Sequence, residues 1–283
     1  MTTFTTLSPA PDATVTAVTL DGIRDLPAHP SVRETWSQSL AMAWRATKKM
    51  RRNPEQWFDV TIQPLLFTAM FAGIFGGAIS GSVENYLPVI IPGLVGQTVL
   101  TACVATGVQL REDMDKGVFD RFKVLPIARI APLAGPMVAD MLRYLIAGTL
   151  TFATGIALGY RPGGGVPGVV GAILLGVISG WSLAWIFTWF GTVGRSAQGV
   201  QAISLMVMFP LTFLSNAFVP TDTMPPYLQA FANANPVSHI ISAIRDLANN
   251  GQVTAQVGWA LLGCAIIVAI FAPLSVKSFT RKM

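Results

Sequence analysis

The side chains that could carry chemistry are concentrated in one short stretch. Eight of the thirteen residues from Arg111 to Lys123 are charged, whereas 12% of the 283-residue sequence is. The sequence has no G-x-x-x-x-G-K-[ST] loop to cradle ATP phosphates, and neither an H-E-x-x-H nor a G-x-S-x-G motif. Catalysis of covalent chemistry by this chain is therefore not expected, and the charged stretch must serve another purpose.

A second pair of charges interrupts an otherwise apolar run. Asp140 and Arg143 are three residues apart, a spacing that places them on one face of a helix, where they can form an ion pair. Charges inside a membrane are costly and often mark a transport pathway. Because this pair lies near one end of its apolar run, a structural ion pair is the favoured interpretation and a pathway role is the alternative.

The elements that position these residues are predicted to be membrane-spanning helices. The chain is 52% hydrophobic with a mean hydropathy of +0.55, whereas soluble domains usually carry about 25% charged residues. A span needs roughly 20 apolar residues. The sequence therefore predicts an all-α, polytopic membrane protein with six spans, which are Trp57–Ile79, Tyr86–Leu110, Pro132–Tyr160, Val166–Val193, Gln198–Phe218 and Trp259–Val276.

The distribution of basic residues predicts the orientation of these spans. Most of the 19 Lys and Arg residues fall on one side, and flanking cations resist translocation. Both termini are therefore predicted in the cytoplasm, with the chain in the plasma or inner membrane. The net charge of +5 then reports topology and does not indicate nucleic-acid binding. His29 and His239 lie on opposite sides, which excludes a metal or proton site shared by the two.

Three regions follow from this pattern: a disordered cytoplasmic tail at 1–30, an amphipathic helix at 31–53 and the transmembrane domain at 54–283. Ser31 and Glu34 form a capping box that begins the amphipathic helix. Such a helix should lie in the plane of the cytoplasmic interface, although a plain topology anchor is the alternative. Its predicted apolar side carries Trp36, Leu40, Ala43, Trp44 and Met50, and its basic side carries Arg45, Lys48, Lys49 and Arg52.

The connection from Val219 to about Gly258 is the longest on the predicted outer side. Asn235 and Pro236 are expected to be the N-cap and first residue of a helix. Its apolar face would be Ile240, Ile241, Ile244 and Leu247. We expect this segment to be partly re-entrant and to seal the outer mouth, where non-helical backbone must lie against protein or water.

The charged stretch itself lies between spans two and three, on the cytoplasmic side. As one helix it would place Met114, Val118, Phe122 and Leu125 on a single face, until Pro126 ends it. A short amphipathic helix of this kind fits a groove on another protein. The alternative is a solvated loop whose apolar side packs on its own spans.

Two segments carry specific combinations of residues. The charged stretch has the pattern E-x4-G-x3-R-x3-LP-x2-R, with Glu112, Gly117, Arg121, Leu125, Pro126 and Arg129. The segment after span five contains Pro220, Met224, Pro225, Leu228, Asn235, Pro236, Ala243 and Arg245. Both segments resemble those of the membrane-spanning subunit of ABC-2 type exporters, in particular the daunorubicin/doxorubicin-resistance (DrrB-like) efflux branch.

The resemblance implies a permease subunit that exports a hydrophobic or amphipathic drug or lipid. Two copies of a separate ATPase subunit would bind ATP and Mg²⁺, so this chain would hold no cofactor or metal, and a second permease copy would complete a homodimer. The charged stretch would be the coupling helix that docks on the ATPase. Its docking residues would be Glu112, Met114, Gly117, Val118, Arg121, Phe122, Leu125 and Pro126.

Two rival functions stay open at this point. Within the same fold the guest could be a lipid-linked glycan or polymer. From a different class, the chain could be a self-sufficient secondary transporter or channel, although such proteins usually show internal repeats and helices broken near the midplane. No internal repeat is apparent in the sequence.

The substrate path and the dimer seam are assigned from side-chain type. Aromatic and Met side chains adapt to a large amphipathic guest, although contact with lipid or core packing is the alternative at each position. The path candidates are Phe67, Met70, Phe71, Phe75, Thr98, Met206, Phe209 and Phe213. Gly73, Gly77 and Gly81 have the four-residue spacing that permits close helix approach in lipid, either at a homodimer seam or within one chain.

Overall fold

The computed structural model describes residues 32–51, 54–119, 130–219 and 224–282. These ranges are helical and contain no β-strand, which confirms the all-α prediction for them. The predictions for 1–30, Ser31 and 120–129 lie outside the described residues. In chain order the helices are α1 Val32–Arg51, α2 Pro54–Ser80, α3 Val83–Asp115, α4 Ala131–Ala157, α5 Gly165–Val193, α6 Ala197–Phe213, α7 Pro226–Ala234, α8 Pro236–Asn250 and α9 Ala255–Lys282.

Each of the six predicted spans coincides with one helix, from α2 to α6 and α9. Among the described residues, α3, α5 and α9 are long and apolar enough to cross a membrane. Two shorter apolar stretches occur, Thr61–Gly77 within α2 and Ala197–Phe213. The α4 helix carries the charged pair Asp140 and Arg143 in its first half.

The helix observed at the fifth predicted span is shorter than predicted. Helix α6 ends at Phe213, whereas the predicted span continued to Phe218. The Asn235 side chain donates a hydrogen bond to the Leu211 carbonyl (2.8 Å), which takes up a backbone acceptor at the end of α6. The chain then crosses α3 so closely that a Cβ atom at Gly93 would lie 1.9 Å from the Ala217 oxygen. Beyond Phe213, Ala217 is buried and Phe218 is half-buried against the core. Hydropathy alone does not distinguish such packed apolar residues from the continuation of a span.

Helix α3 lies at the centre of the bundle and packs against α2, α4, α5, α6 and α8. Its first half is buried on nearly all sides, as Leu87, Ile90, Ile91 and Leu94 show. A helix that is apolar all round belongs in the core of a bundle. Helices α2, α4, α5, α6 and α8 are therefore arranged around α3, whereas α1 packs on α4, and α9 packs on α5 and α8.

Helix α1 packs on α4 through a face that differs from the predicted apolar side. Ser39 and Ala43 are buried, and a Cβ atom at Gly135 on α4 would meet Ser39 and Ala43 backbone atoms at 3.0 and 3.1 Å. Leu40 and Trp44, predicted to share a side with Ala43, are exposed by 48% and 63%. Ser39, Ala43 and the partly buried Met42 thus make the protein contact, whereas Leu40 and Trp44 stay on the surface.

At the other end of the bundle, α8 begins as predicted. The Asn235 side chain accepts a hydrogen bond from the Val237 amide (2.9 Å), which confirms the N-cap. Ile240, Ile241 and Ile244 are buried, in agreement with the predicted apolar face. The helix ends at Gly251, whose φ of 66° is the left-handed conformation that glycine adopts readily.

Candidate functional site

The charged segment begins as the end of α3 and not as a separate helix. Helix α3 continues five residues beyond the predicted span and ends at Asp115. The Gly117 amide donates to the Met114 carbonyl and the Val118 amide to the Asp113 carbonyl, both at 3.1 Å. Gly117 has a φ of 65°. These two bonds and the left-handed glycine form a Schellman motif, a common helix C-terminus.

The prediction of a single helix from Glu112 to Leu125 is therefore wrong at Gly117. Met114 lies on α3, whereas Val118 belongs to the turn Lys116–Phe119. Four of the predicted docking residues lie outside the described residues, namely Arg121, Phe122, Leu125 and Pro126. Glycine two residues after the last helical residue was the signal in the sequence, because helices often end with glycine at this position.

Ion pairs hold the last turn of α3 beyond the apolar run that ends at Leu110. Arg111 pairs with Asp115, with Nε donating to Oδ1 at 2.9 Å, and Lys116 pairs with Glu112 at 3.2 Å. The hydrogen bond from Arg111 lowers the pKa of Asp115, and the positive charge of Arg111 lowers it further, so this carboxylate stays ionised at neutral pH. Both pairs have the four-residue spacing that supports an exposed helix end.

The same helix end contacts the turn between α5 and α6 and also α9, through contacts that the sequence did not predict. Arg111 Nη1 donates to the Gly194 carbonyl (3.0 Å) in the turn between α5 and α6. Phe119 packs edge-on against Phe279 of α9, with ring centroids 5.0 Å apart, and both rings are buried. Lys282 Nζ lies 3.4 Å from the Val193 carbonyl. A displacement of the charged segment would therefore also displace residues of α9 and of the turn that joins α5 to α6.

The predicted substrate-path residues of α2 and α6 are brought together by a residue that was not predicted, Phe218. Phe71 stacks on Phe218 (4.9 Å between centroids), and Phe213 stacks on the same ring (5.3 Å). Phe71 also stacks on its helix neighbours Phe67 (5.9 Å) and Phe75 (5.3 Å). Phe209 extends the series from Phe213 (5.7 Å). We call these six rings the aromatic ladder.

The aromatic ladder lies beside exposed apolar side chains. Phe75, Phe209 and Phe213 are themselves exposed, as are Met70 and Met206, the latter by 78%. The remaining path candidate, Thr98, is half-buried on α3. It lies three residues before Thr101, whose hydroxyl is 3.9 Å from Met208 Sδ on α6.

The three glycines predicted at the dimer seam divide into two groups. A Cβ atom at Gly73 or Gly77 would meet nothing within 4 Å, so these two make no close helix contact within the described chain. Gly81 has a φ of 73° and follows the end of α2, so it does not continue the helical stripe. Gly180 on α5 behaves differently, since its Cβ would lie 2.5 Å from Val99 of α3.

The Asp140–Arg143 ion pair is confirmed. Arg143 Nη1 donates to Asp140 Oδ1 (3.0 Å), and Thr106 of α3 donates to Asp140 Oδ2 (2.6 Å). The Tyr144 hydroxyl lies 3.3 Å from the Thr106 hydroxyl. Asp140 and Arg143 are 7% and 3% exposed. Beside this cluster lies a cavity of about 300 Å³ bounded by α1, α3, α4 and α5.

The comparisons with known proteins agree with this architecture. A family model described as ABC-2 type transporter matches residues 37–248. The chain is 39% identical over 246 residues to the daunorubicin resistance ABC transporter permease protein DrrB1 of Streptomyces coeruleorubidus, covering 87% of each chain. It is 28% identical over 174 residues to the doxorubicin resistance ABC transporter permease protein DrrB of Mycobacterium tuberculosis, covering 61% of this chain and 60% of the relative. The family model matches most of the chain, and α3, α5 and α9 are long and apolar enough to cross a membrane. The chain therefore belongs to the ABC-2 type transporter family.

Proposed function

We propose that this chain is the permease subunit of an ATP-driven exporter that moves a hydrophobic or amphipathic drug or lipid out of the cell. The observation that carries the proposal is the 39% identity, over 87% of both chains, to a protein named as a daunorubicin resistance permease. The six helices α2–α6 and α9 would each cross the membrane, with both termini in the cytoplasm. ATP would be hydrolysed by two copies of a separate ATPase subunit.

The charged segment would transmit the movement of the ATPase to the spans. Arg111 bonds the Gly194 turn, which joins α5 to α6, and Phe119 packs on Phe279 of α9. Closure of an ATPase dimer against this segment would therefore act on α3, α5, α6 and α9 together. Such a shift between two arrangements of the spans is an alternating-access scheme.

The aromatic ladder would form part of the guest's path. It lies partly on the surface of one chain, where Phe75, Phe209 and Phe213 are exposed. The open Gly73 and Gly77 lie on the same helix, α2. Small residues allow close helix contact in lipid, so we infer that a second copy of the chain packs near this surface and encloses the path.

Docking can be tested at Phe122, one of the apolar residues of the predicted docking face. Phe122→Asp is expected to abolish co-purification of the ATPase subunit with the permease, because a carboxylate cannot enter an apolar groove unpaired. The measurements are pull-down of the co-expressed subunits and ATP hydrolysis coupled to drug transport. Phe231→Asp, at an exposed ring of α7 at the opposite end of the bundle, is the matched control. Equal co-purification and coupled hydrolysis by both variants would reject docking at Phe122.

The aromatic ladder can be tested at Phe71, which stacks on three other rings. Phe71 joins the rings of α2 to Phe218. Because one aromatic contact with the guest would contribute about 0.5–1.5 kcal/mol, its loss in Phe71→Ala is expected to reduce daunorubicin efflux by roughly ten-fold. Efflux is measured as ATP-dependent drug uptake into inverted membrane vesicles and is normalised to folded permease. Phe271→Ala removes a ring of α9 that packs on Trp189 (5.7 Å) away from the ladder, and it should leave normalised efflux unchanged. If the two variants lose efflux equally, the ladder has no specific role in transport.

A further inference from the structure

The cavity between α1, α3, α4 and α5 has the size and composition of a ligand site. Its volume of about 300 Å³ is at the lower end of the range for sites that bind small molecules. Its apolar wall includes Met42, Leu110, Leu133 and Met137. The cavity lies within a single chain and shares no residue with the aromatic ladder.

One polar group at this cavity has no partner. Thr188 of α5 lines the cavity and is 1% exposed, and among the described residues its hydroxyl makes no hydrogen bond. Other threonines in these helices, such as Thr149, Thr151 and Thr154, donate to the carbonyl four residues earlier. A buried hydroxyl without a partner is costly, about 1–3 kcal/mol. A ligand that bonds Thr188 would remove this cost.

The remaining polar lining determines what kind of ligand can bind. Asp140 and Arg143 form an ion pair whose charges cancel, and Thr106 adds a second hydroxyl. The other charged residues that line the cavity carry both signs and are Arg45, Asp113 and Lys116. A ligand with a net charge would have to compete with the Asp140–Arg143 pair or with the contacts that Arg45, Asp113 and Lys116 already make, whereas an uncharged ligand disturbs neither.

We propose that this cavity binds an uncharged amphiphile, with a hydroxyl or carbonyl end placed at Thr188 and an apolar body against α3 and α4. A hydroxyl end can both donate to and accept from threonine, and the apolar wall accommodates an alkyl or fused-ring body. The inference concerns binding to this chain alone and does not depend on export or on an ATPase. It therefore stands or falls separately from the proposed function.

The experiment uses the purified full-length chain in lipid nanodiscs and three dodecyl probes that each carry a diazirine. The probes are an alcohol, an amine and a carboxylic acid of equal length, and their cross-links are located by mass spectrometry. The alcohol is expected to label the α4 peptide that contains Leu133 and Met137 in a saturable manner, and more strongly than the charged probes. Thr188→Val should weaken alcohol binding roughly five-fold, the equivalent of one lost hydrogen bond.

Two further variants distinguish this site from general lipid contact. Thr192→Val makes the same change one turn later on α5, at a hydroxyl that bonds the Trp189 carbonyl, and should leave labelling unchanged. Ala46→Phe fills the cavity from α1 and should abolish labelling. Without a probe, Thr188→Val should melt no lower than the original chain, since it removes an unpaired hydroxyl. Equal labelling by all three probes, unchanged binding in Thr188→Val, or a lower melting temperature of that variant would overturn the proposal.

Discussion

Replacing Gly107 with alanine is expected to lower the free energy of unfolding by at least about 3 kcal/mol, the upper end of the usual cost of overpacking. A Cβ atom at this position of α3 would lie 2.2 Å from the Phe187 carbonyl oxygen of α5, well inside contact distance. On the facing helix, a Cβ atom at Gly191 would lie 2.5 Å from the Gly107 oxygen. The atoms in the way belong to the backbone, so only a displacement of α3 from α5 could make room. The measurement is thermal unfolding of the purified chain, together with its yield as a monodisperse species.

The chain offers a matched control at Gly148. This glycine is also buried inside a helix, α4, but an added Cβ would find its nearest neighbours at 3.8 Å, which is ordinary contact. Alanine is favoured over glycine in a helix interior by roughly 0.5–1 kcal/mol, so Gly148→Ala should melt at or slightly above the original temperature. If Gly107→Ala melted in the same way as Gly148→Ala, the close approach of α3 and α5 would be refuted.

Sequence reasoning succeeded where the cause of structure is local or compositional. Apolar runs bounded by charge predicted six helices, and most of the predicted ends lie within a few residues of the observed ones. The prediction works because a backbone in lipid must satisfy its own hydrogen bonds. Asn235 followed by Pro236 predicted the start of α8, since both the N-cap side chain and the fixed φ of proline act within one turn. The spacing of Asp140 and Arg143 predicted their ion pair for the same reason.

Contacts between distant residues were not predictable in this way. In the aromatic ladder, Phe71 of α2 and Phe213 of α6 both stack on Phe218. Phe71 is far from the other two residues in the sequence, so no local pattern predicts its contact. The bond from Arg111 to Gly194 depends likewise on how α3 and α5 approach each other. The charged segment was predicted as one helix because its apolar periodicity was given more weight than Gly117. A single glycine in the left-handed conformation was enough to end the helix.

The second large effect is expected at the buried ion pair. Arg143→Met should destabilise the chain by about 3–5 kcal/mol, because it leaves the Asp140 carboxylate buried and without its counter-charge. The double variant Asp140→Leu with Arg143→Met should recover most of this loss, since apolar side chains of similar volume often replace a buried pair without cost. Thr106, which donates to Asp140, can instead donate to the Ala102 carbonyl, 3.4 Å away. The free energies of unfolding of the two variants and the original chain are compared by thermal unfolding.

The double variant also distinguishes the two roles considered for this pair. If it folds and supports drug efflux at the original rate, Asp140 and Arg143 are a structural pair that holds the first half of α4 against α3. If it folds but loses efflux, the charges themselves take part in transport, and the pathway interpretation is the correct one. A double variant no more stable than Arg143→Met would contradict the ion pair as the source of the effect. In that case the cost would come from lost packing of the long Arg143 side chain and not from an uncompensated charge.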